Sequence, residues 1–380
     1  MREMPLKDVT VLEMGSSVAG PFCCRILADL GAEVIKVEAP SGGDPARSWS
    51  ELRLGRTSPT FQVMNNGKRS IVVDFNVSAD VEKLRKFAAS SVDVIVQNLR
   101  PGIADRLGFG PMDAASISSR IVYLNISAYG REGPLRKNPG YDPLIQAFSG
   151  LVDITGPADG PPARVGAPII DMGTGLWSVI GVLAGLRERD RTGQGCVVDA
   201  AMLDTALAWQ SLSAATIEAG GIPPTRTGLN GPLLVPNAAF QTADGLVIIT
   251  VGTDKQFRKL CEVIGQPQLA DDDRFAKNAA RDANQATLLN LIEAALRPEP
   301  RAHWCAMLDA ADVPNAPIQT LKEAMAHSQT SASSILIEAP DGSFRVVGPA
   351  LKFDGLRPGM TVAAPELGEA SETILDGAGE

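Results

Sequence analysis

Apolar and polar positions along the chain switch repeatedly between two patterns, and the switches mark the elements. Short, mostly apolar runs occur at 9–13, 33–37, 70–75, 92–97, 121–127 and 197–199. Runs of that length bounded by turn residues predict strands buried on both faces, as in a parallel sheet. Between them the spacing changes to that of helices. Pro21 suits a first helical turn, and residues 22–30 continue it to a stop at Gly31. Residues 78–90 place Val81, Leu84, Phe87 and Ala88 on one face. Residues 176–189 are apolar on nearly every side before ending in charged residues, which predicts a buried helix, and 200–209 predict another. Strands alternating with helices through residue 130 predict an open, mostly parallel sheet with helices on both faces, a doubly wound α/β fold. Ligands of such sheets bind beyond the carboxyl ends of the strands.

The pattern changes again further on. Residues 128–175 are rich in glycine and proline, as working surfaces often are. Residues 212–235 carry Gly, Pro and Thr and read as a linker. A smaller α+β unit follows over 236–324. It opens with a hairpin, strands 236–242 and 246–251 around Asp244-Gly245, followed by helices at 254–264, 284–296, 300–311 and 320–327. A second hairpin, strands 334–338 and 344–348 around Asp341-Gly342, precedes a tail with a short helix. The expected division is a large domain of residues 1–211 completed by 325–380, a linker, and a small domain.

A chain of 380 residues accommodates this division. With 44% apolar and 21% charged residues it has the composition of a soluble globular protein. A net charge of −9 argues against nucleic acid and anionic membrane as partners. The apolar run at 176–186 is too short to span a bilayer, and residues 1–7 contain no apolar core of a secretory signal. The five cysteines lack CxxC or zinc-type spacing, so no metal site is expected and reduced thiols of a cytoplasmic protein are. Cys23 falls in a first helical turn, where a thiolate is stabilised, but without a nearby histidine it reads as a small buried residue.

Histidine is confined to His303 and His327, so a catalytic triad or a multi-histidine metal site has little to be built from. The candidate is a carboxylate. Asp171 ends a short apolar run and is followed by Gly173, Thr174 and Gly175, then the buried helix. It is expected at or just before the first helical turn, where free N–H groups and the helix dipole lower a carboxylate pKa. Position leaves two readings open: a structural N-cap, for which aspartate is common, or a carboxylate that small residues leave open to a ligand. Near the N-terminus, Gly15, Gly20 and Glu38 suggest a dinucleotide fingerprint, but Ser17 occupies the middle of the turn where that motif needs glycine. Lys68, Arg69 and Arg100 flank strand ends, either as phosphate partners or as solvated surface cations.

A set of motifs, in order along nearly the whole chain, sharpens this picture. It comprises Ala19-Gly-Pro21, the run from Leu27 to Glu38, Gly43-Asp44-Pro45, Lys68-Arg69-Ser70, Asn98-Leu99-Arg100-Pro101-Gly102 and Asp105-Arg-Leu-Gly108. Further on come Gly140-Tyr141-Asp142, Gln146-Ala147, Ser149-Gly150, Gly166-Ala-Pro168 with Asp171 and Gly175, Gly193-Gln-Gly195, Val198-Asp199, Ala364-Pro365 and Leu367-Gly368. On these residues the chain resembles the class III CoA-transferases (the carnitine-dehydratase/bile-acid-inducible family) and their relatives, the alpha-methylacyl-CoA racemases. The resemblance implies a Rossmann-like large domain that includes the C-terminal tail, a small domain, and an interlocked homodimer. It implies CoA as substrate rather than cofactor, an acyl-CoA and a small carboxylic acid as partners, and no added cofactor. Asp171 then falls on the catalytic aspartate, which forms a mixed anhydride and afterwards an aspartyl-CoA thioester. Lys68, Arg69, Asn98, Leu99 and Arg100 fall on the CoA site, and Val18, Trp49, Tyr141 and Asp142 on the substrate pocket.

Departures from the family pattern matter as much. Racemases carry a histidine before the aspartate of the Gly-x-Asp motif, and here that place holds Tyr141. A two-base racemase or epimerase, the alternative reading, lacks one base. A non-catalytic CoA-binding relative is a further alternative, against which stands Asp171 in an intact glycine setting. Compared with formyl-CoA transferases, Trp49 is kept, Val18 replaces a glutamine, Thr60 replaces a tyrosine, and residues 229–238 lack the glycine-rich loop. These changes predict a less polar pocket than one for oxalate. Gln97 replaces a glutamate before the Asn-x-Arg-Pro-Gly motif and Ala370 a histidine in the tail.

Overall fold

The computed structural model describes residues 3–231, 233–359 and 362–377. Pro232 in the expected linker, and residues 360–361 and 378–380 in the expected C-terminal completion of the large domain, lie outside the described residues, as do the first two of the seven N-terminal residues read above. The chain divides into two compact units. The first comprises Met1–Val152, Arg164–Pro223 and Gln329–Glu380, and the second Asp153–Ala163 and Pro224–Ser328.

Unit 1 is built on β1 (Thr10–Met14), α1 (Ala19–Asp29), β2 (Glu33–Glu38), α2 (Pro59–Asn65), β3 (Lys68–Val72), α3 (Ser78–Ser91) and β4 (Val94–Gln97). It continues with α4 (Ile103–Arg106), α5 (Pro111–Ile117), β5 (Val122–Ser127), α6 (Asp142–Phe148), α7 (Ile169–Thr192), β6 (Val197–Ala201), α8 (Met202–Trp209) and α9 (Ser211–Glu218). The six strands form one sheet in the order β3-β2-β1-β4-β5-β6, every pair parallel. The order reverses between β1 and β4, which creates a crevice at their carboxyl ends.

The apolar strand runs are explained by two cores, one on each face of this sheet. Alternate residues point to opposite faces. Val11, Val34, Val94, Val96, Val122 and Leu124 pack with Cys23, Leu27, Val179 and Val182 of α1 and α7. Leu12, Ile35, Ile71, Ile95 and Tyr123 pack with Leu84, Phe87, Ala88 and Ala114 of α3 and α5. A strand buried on both sides has no polar face to display. The C-terminal segment also joins this sheet: Gly368 N–H donates to Ser70 Oγ (3.0 Å), Ala370 N–H to Ser70 O (2.9 Å), and Val72 N–H to Ser371 Oγ (2.9 Å).

Unit 2 contains β7 (Asn237–Gln241), β8 (Leu246–Thr250), α10 (Asp254–Val263), α11 (Asn278–Ala283), α12 (Gln285–Leu296), α13 (Arg301–Ala310), β9 (Asn315–Pro317) and α14 (Leu321–Ala326). Its three antiparallel strands run β7-β8-β9 over a core that includes Phe240, Ile249, Phe257, Leu288 and Trp304. Back in the C-terminal region, α15 (Ser328–Ser333) leads to the hairpin β10 (Leu336–Glu338) and β11 (Arg345–Val347).

Several boundaries differ from the sequence expectation. The helix expected from residue 176 begins at Ile169, because Gly173 and Gly175 are interior residues at close contacts and not a stop. A Cβ on Gly173 would lie 2.9 Å from the Trp209 ring, and one on Gly175 2.9 Å from the Phe22 ring. The strand expected from Ser70 begins at Lys68. Residues 211–218, read largely as linker, form α9. Asp153–Ala163, closed on itself by Ala163 N–H to Thr155 O, joins unit 2 through Gly228 N–H to Gly156 O and Arg226 Nη1–H to Asp153 O.

Candidate active site

A cavity of about 370 Å³ opens at the switch point of the unit 1 sheet. Its walls come from the β1–α1 turn (Ser16–Ala19), the segment after β4 (Asn98–Pro101 and Ile103), the end of β5, the Asn138–Tyr141 loop, Trp49, Met202 and Asp171. The structure therefore brings together Val18, Trp49, Asn98, Leu99, Arg100, Tyr141 and Asp171 from segments far apart in sequence.

The β1–α1 turn is held from below by a buried charge cluster. Glu13, Lys36 and Lys68 are essentially without solvent contact. Lys36 Nζ donates to Glu13 Oε1 (2.8 Å) and Gly15 O (2.9 Å) and pairs with Asp44 Oδ2 (3.0 Å). Lys68 Nζ donates to Glu13 Oε2 (2.6 Å), Pro21 O (2.9 Å) and Asn65 Oδ1 (2.9 Å). Burial opposes the charge on Lys36, but Glu13 and Asp44 outweigh it and hold its pKa above the ordinary value. Burial likewise opposes ionisation of Glu13, and the two lysines reverse it, holding that carboxyl below its ordinary range. Ser17, where a dinucleotide motif has glycine, takes a left-handed conformation with φ +73, and its N–H donates to Asp44 Oδ1 at 3.2 Å. The acidic partner of that motif is also accounted for: Glu38 is buried and accepts from Arg47, Ser70 Oγ and Asp44 N–H.

Two assignments to a CoA site are corrected here. Lys68 is in the core with its three donors committed, so it faces no ligand. Arg69 lies at the amino-terminal start of β3 and pairs with Glu33 at the start of β2 (2.7 Å), on the edge of the sheet opposite the cavity. Both were misplaced because the strand starts before Ser70, and because a buried acid two strands away cannot be read from local composition. Asn98 does line the cavity, but its amide is a bracket for the turn: Ser16 N–H donates to Oδ1 and Nδ2–H to Ser16 O, both at 2.9 Å. Leu99 is fixed through its N–H to Gln97 Oε1 (2.9 Å). Arg100 is exposed, and its guanidinium makes no hydrogen bond or ion pair among the described residues.

Arg100 also borders a second cavity of about 240 Å³ that shares Leu99, Pro101 and Ser127 with the first. Arg131, Arg136 and Lys137 line it. These cations were not singled out from the sequence; the signal was present as three basic residues within seven positions of the loop after β5. Polar partners tie the floor together, Gln97 to Asn125 and Asn125 Nδ2–H to Asp199 Oδ1 (2.9 Å). Among the described residues, no group of three or more His, Cys, Asp or Glu side chains is placed to hold a metal ion.

Asp171 is the third residue of α7, partly buried and facing the cavity. It is not the cap of its helix. The N-cap position is Pro168, and the capping oxygen comes from Asp142, at the start of α6. Asp142 Oδ2 accepts the N–H groups of Ile170 (2.7 Å) and Asp171 (3.1 Å). Asp142, expected in the substrate pocket, is instead 4% exposed behind it. The lowered pKa expected for Asp171 is therefore overturned. Burial, and secondly the Asp142 carboxylate, push it up to about 7. Thr174, one turn on, donates to Ile170 O (2.7 Å), and its Oγ1 is hydrogen-bonded to Thr205 Oγ1 (3.0 Å), which fixes α7 against α8. Val18 at the N-cap and Ala19 at the first position of α1 line the same cavity, where the first N–H groups of a helix lack intrahelical acceptors.

Curated relatives that match nearly the whole chain are named CoA-transferases. The CoA-transferase family III profile matches residues 6–371. A succinyl-CoA:glutarate CoA-transferase of Mus musculus is 34% identical over 374 residues, covering 98% of this chain and 86% of its own. An acetyl-CoA:oxalate CoA-transferase of Acetobacter aceti is 37% identical over 380 residues, covering 97% and 95%. Among solved structures, a CaiB/BaiF family protein from Brucella suis superposes with a TM-score of 0.90 at 33% identity, covering 99% of this chain and all of its own.

Proposed function

The chain belongs to CoA-transferase family III, and on that premise we propose that Asp171 is the nucleophile that carries its reaction. The protein is an enzyme that transfers CoA from an acyl-CoA donor to a carboxylic acid. In the proposed sequence an Asp171 oxygen attacks the thioester carbonyl, and CoA leaves as thiolate from a mixed anhydride. The thiolate attacks the Asp171 carbonyl, releases the donor acid as carboxylate and leaves an aspartyl-CoA thioester. The acceptor carboxylate attacks that thioester, and the returning thiolate takes the new acyl group and frees Asp171. One thioester is exchanged for another, so no redox step is needed. The first-turn N–H groups of α1, at Val18 and Ala19, are the donors available to developing oxyanions.

The observation that carries this reading is a carboxylate opening on the switch-point cavity, with no cation bonded to it among the described residues and a proton affinity set near neutrality. CoA is proposed to lie along the shared wall, its phosphates near Arg100, Arg131, Arg136 and Lys137. The acceptor is proposed to be an aliphatic acid with an apolar body, since Val18, Trp49, Ile103, Ile126 and Met202 line the cavity together with Asp171. A racemase reading draws no support from the cavity, whose titratable side chains are Arg100, Tyr141 and Asp171. Mixing enzyme with acyl-CoA donor and quenching with hydroxylamine is expected to convert Asp171 to a hydroxamate, seen as a mass change on its peptide. Near-normal transfer by Asp171→Ala would end the proposal.

We further propose a cytoplasmic homodimer. Its five cysteines are all free thiols. Helix α7 is long and apolar enough to cross a membrane, but half of that stretch is buried within the fold. The remaining face exposes Leu176, Trp177, Ile180 and Leu183, and Leu207 and Trp209 of α8 are exposed as well. A second copy of this chain is the proposed cover.

A further inference from the structure

We propose that Asp142 is a positioning residue for the transfer reaction: by capping α7 in place of Asp171, it withholds the helix N-terminal donors from the nucleophile and sets a like charge behind it. The inference rests on the reading of Asp171 as nucleophile. Its geometry is specific. An N-cap side chain ordinarily accepts the second or third N–H of its own helix. Pro168 has no such acceptor, and the second and third N–H groups of α7 go to Asp142 Oδ2, 28 and 29 residues away in sequence. Asp142 is itself fixed by Gln146, fully buried on α6, whose amide nitrogen donates to Asp142 Oδ1 and whose Oε1 accepts Val165 N–H at 2.9 Å.

The consequence follows from charge. Where Asp171 is ionised, above about pH 7, its carboxylate faces that of Asp142. When Asp171 attacks the thioester, its oxygen forms a bond to the acyl carbon, the C–S bond breaks, and the electron pair leaves with the CoA thiolate. The mixed anhydride is neutral at Asp171, and so is the aspartyl-CoA thioester that follows. Repulsion from Asp142 raises the energy of the free carboxylate but not of either covalent form, so it favours acylation and keeps the carboxylate a basic nucleophile. Among the described residues no cation offsets it. Helix α1 meets Gly175 with Ala19, Phe22 and Cys23, and α8 meets Gly173 and Thr174 with Thr205 and Trp209. The other titratable groups on the cavity wall are Tyr141 and Arg100, neither bonded to Asp171.

The test is the titration of Asp171 in enzyme labelled with [13C]aspartate, its signal identified by loss in Asp171→Asn. In the parent the midpoint is expected near neutrality, and in Asp142→Asn lower by about one pH unit or more, with the acid limb of kcat/KM moving by the same amount. The fraction of enzyme trapped as aspartyl-CoA at steady state is expected to fall about tenfold with it. An unmoved midpoint in folded Asp142→Asn overturns the inference. Should that variant not fold, the parent decides alone: a midpoint in the ordinary carboxylate range, near 4, overturns it. A midpoint that moves while the parent forms no covalent adduct removes the nucleophile reading instead and leaves the electrostatic cap standing.

Discussion

Gly175 of α7 faces the Ala19 carbonyl of α1 across a gap too small for a methyl group, since a Cβ there would sit 3.0 Å from that oxygen and 2.9 Å from the Phe22 ring. The contact couples the first turn of α1, with its free N–H groups, to the turn that carries Asp171. Gly175→Ala gains helix propensity of about 1 kcal/mol but forces two backbones apart, at a cost of about 1–3 kcal/mol. Turnover is expected to fall far more than stability, because the spacing of nucleophile and donors changes. Chemical denaturation alongside kcat separates the two effects; full activity would show that the spacing is not used.

Stability should depend on pH through Asp171. Its folded pKa, about 7, lies above the unfolded value of about 3.9, so the fold favours the neutral acid. The contribution is present below about pH 4, is lost as pH rises to about 7, and stays lost above. Three pH units set a ceiling of about 4 kcal/mol, and partial solvent access reduces this to about 1–2 kcal/mol. Asp171→Asn is expected to be more stable than the parent at pH 8 and equal to it at pH 4, measured by urea unfolding at both pH values.

The cations of the second cavity should act as phosphate partners. Arg100→Ala and Arg136→Ala are each expected to weaken CoA binding about tenfold or more at low salt, and less at high salt, without loss of fold. Calorimetry at two ionic strengths reads both effects. Unchanged affinity in both variants would move the CoA phosphates elsewhere.

Lys68→Met tests the opposite expectation. It strands Glu13 with a single cation in a site without solvent, at a cost of about 3–5 kcal/mol. Any folded fraction is expected to bind CoA normally, since Lys68 contacts only the core. A specific loss of CoA affinity at full stability would restore Lys68 to the ligand site.

Light scattering of the purified protein is expected to give twice the chain mass. Substituting both Trp177 and Ile180 by glutamate on the exposed α7 face should reduce it to one chain, and a monomeric parent would leave that face without its proposed cover.

The sequence by itself determined the alternation of strands and helices, because parallel strands buried on both faces read as mostly apolar runs, and the pattern survives any detail of packing. It also marked Asp171, as a carboxylate beside small residues, and the family from motifs spread along the chain. It could not determine what each charged side chain faces. Lys68 reads as a phosphate partner or a surface cation until the sheet brings Glu13 to it, 55 residues away. Gly173 and Gly175 read as the end of a loop until α1 and α8 close on them, and only then does α7 extend back to Ile169. The protonation of Asp171 was decided last and entirely in three dimensions. Local rules give the helix N-terminus to the nearest aspartate, whereas the fold delivers Asp142 to those N–H groups first, and one set of donors cannot stabilise two carboxylates.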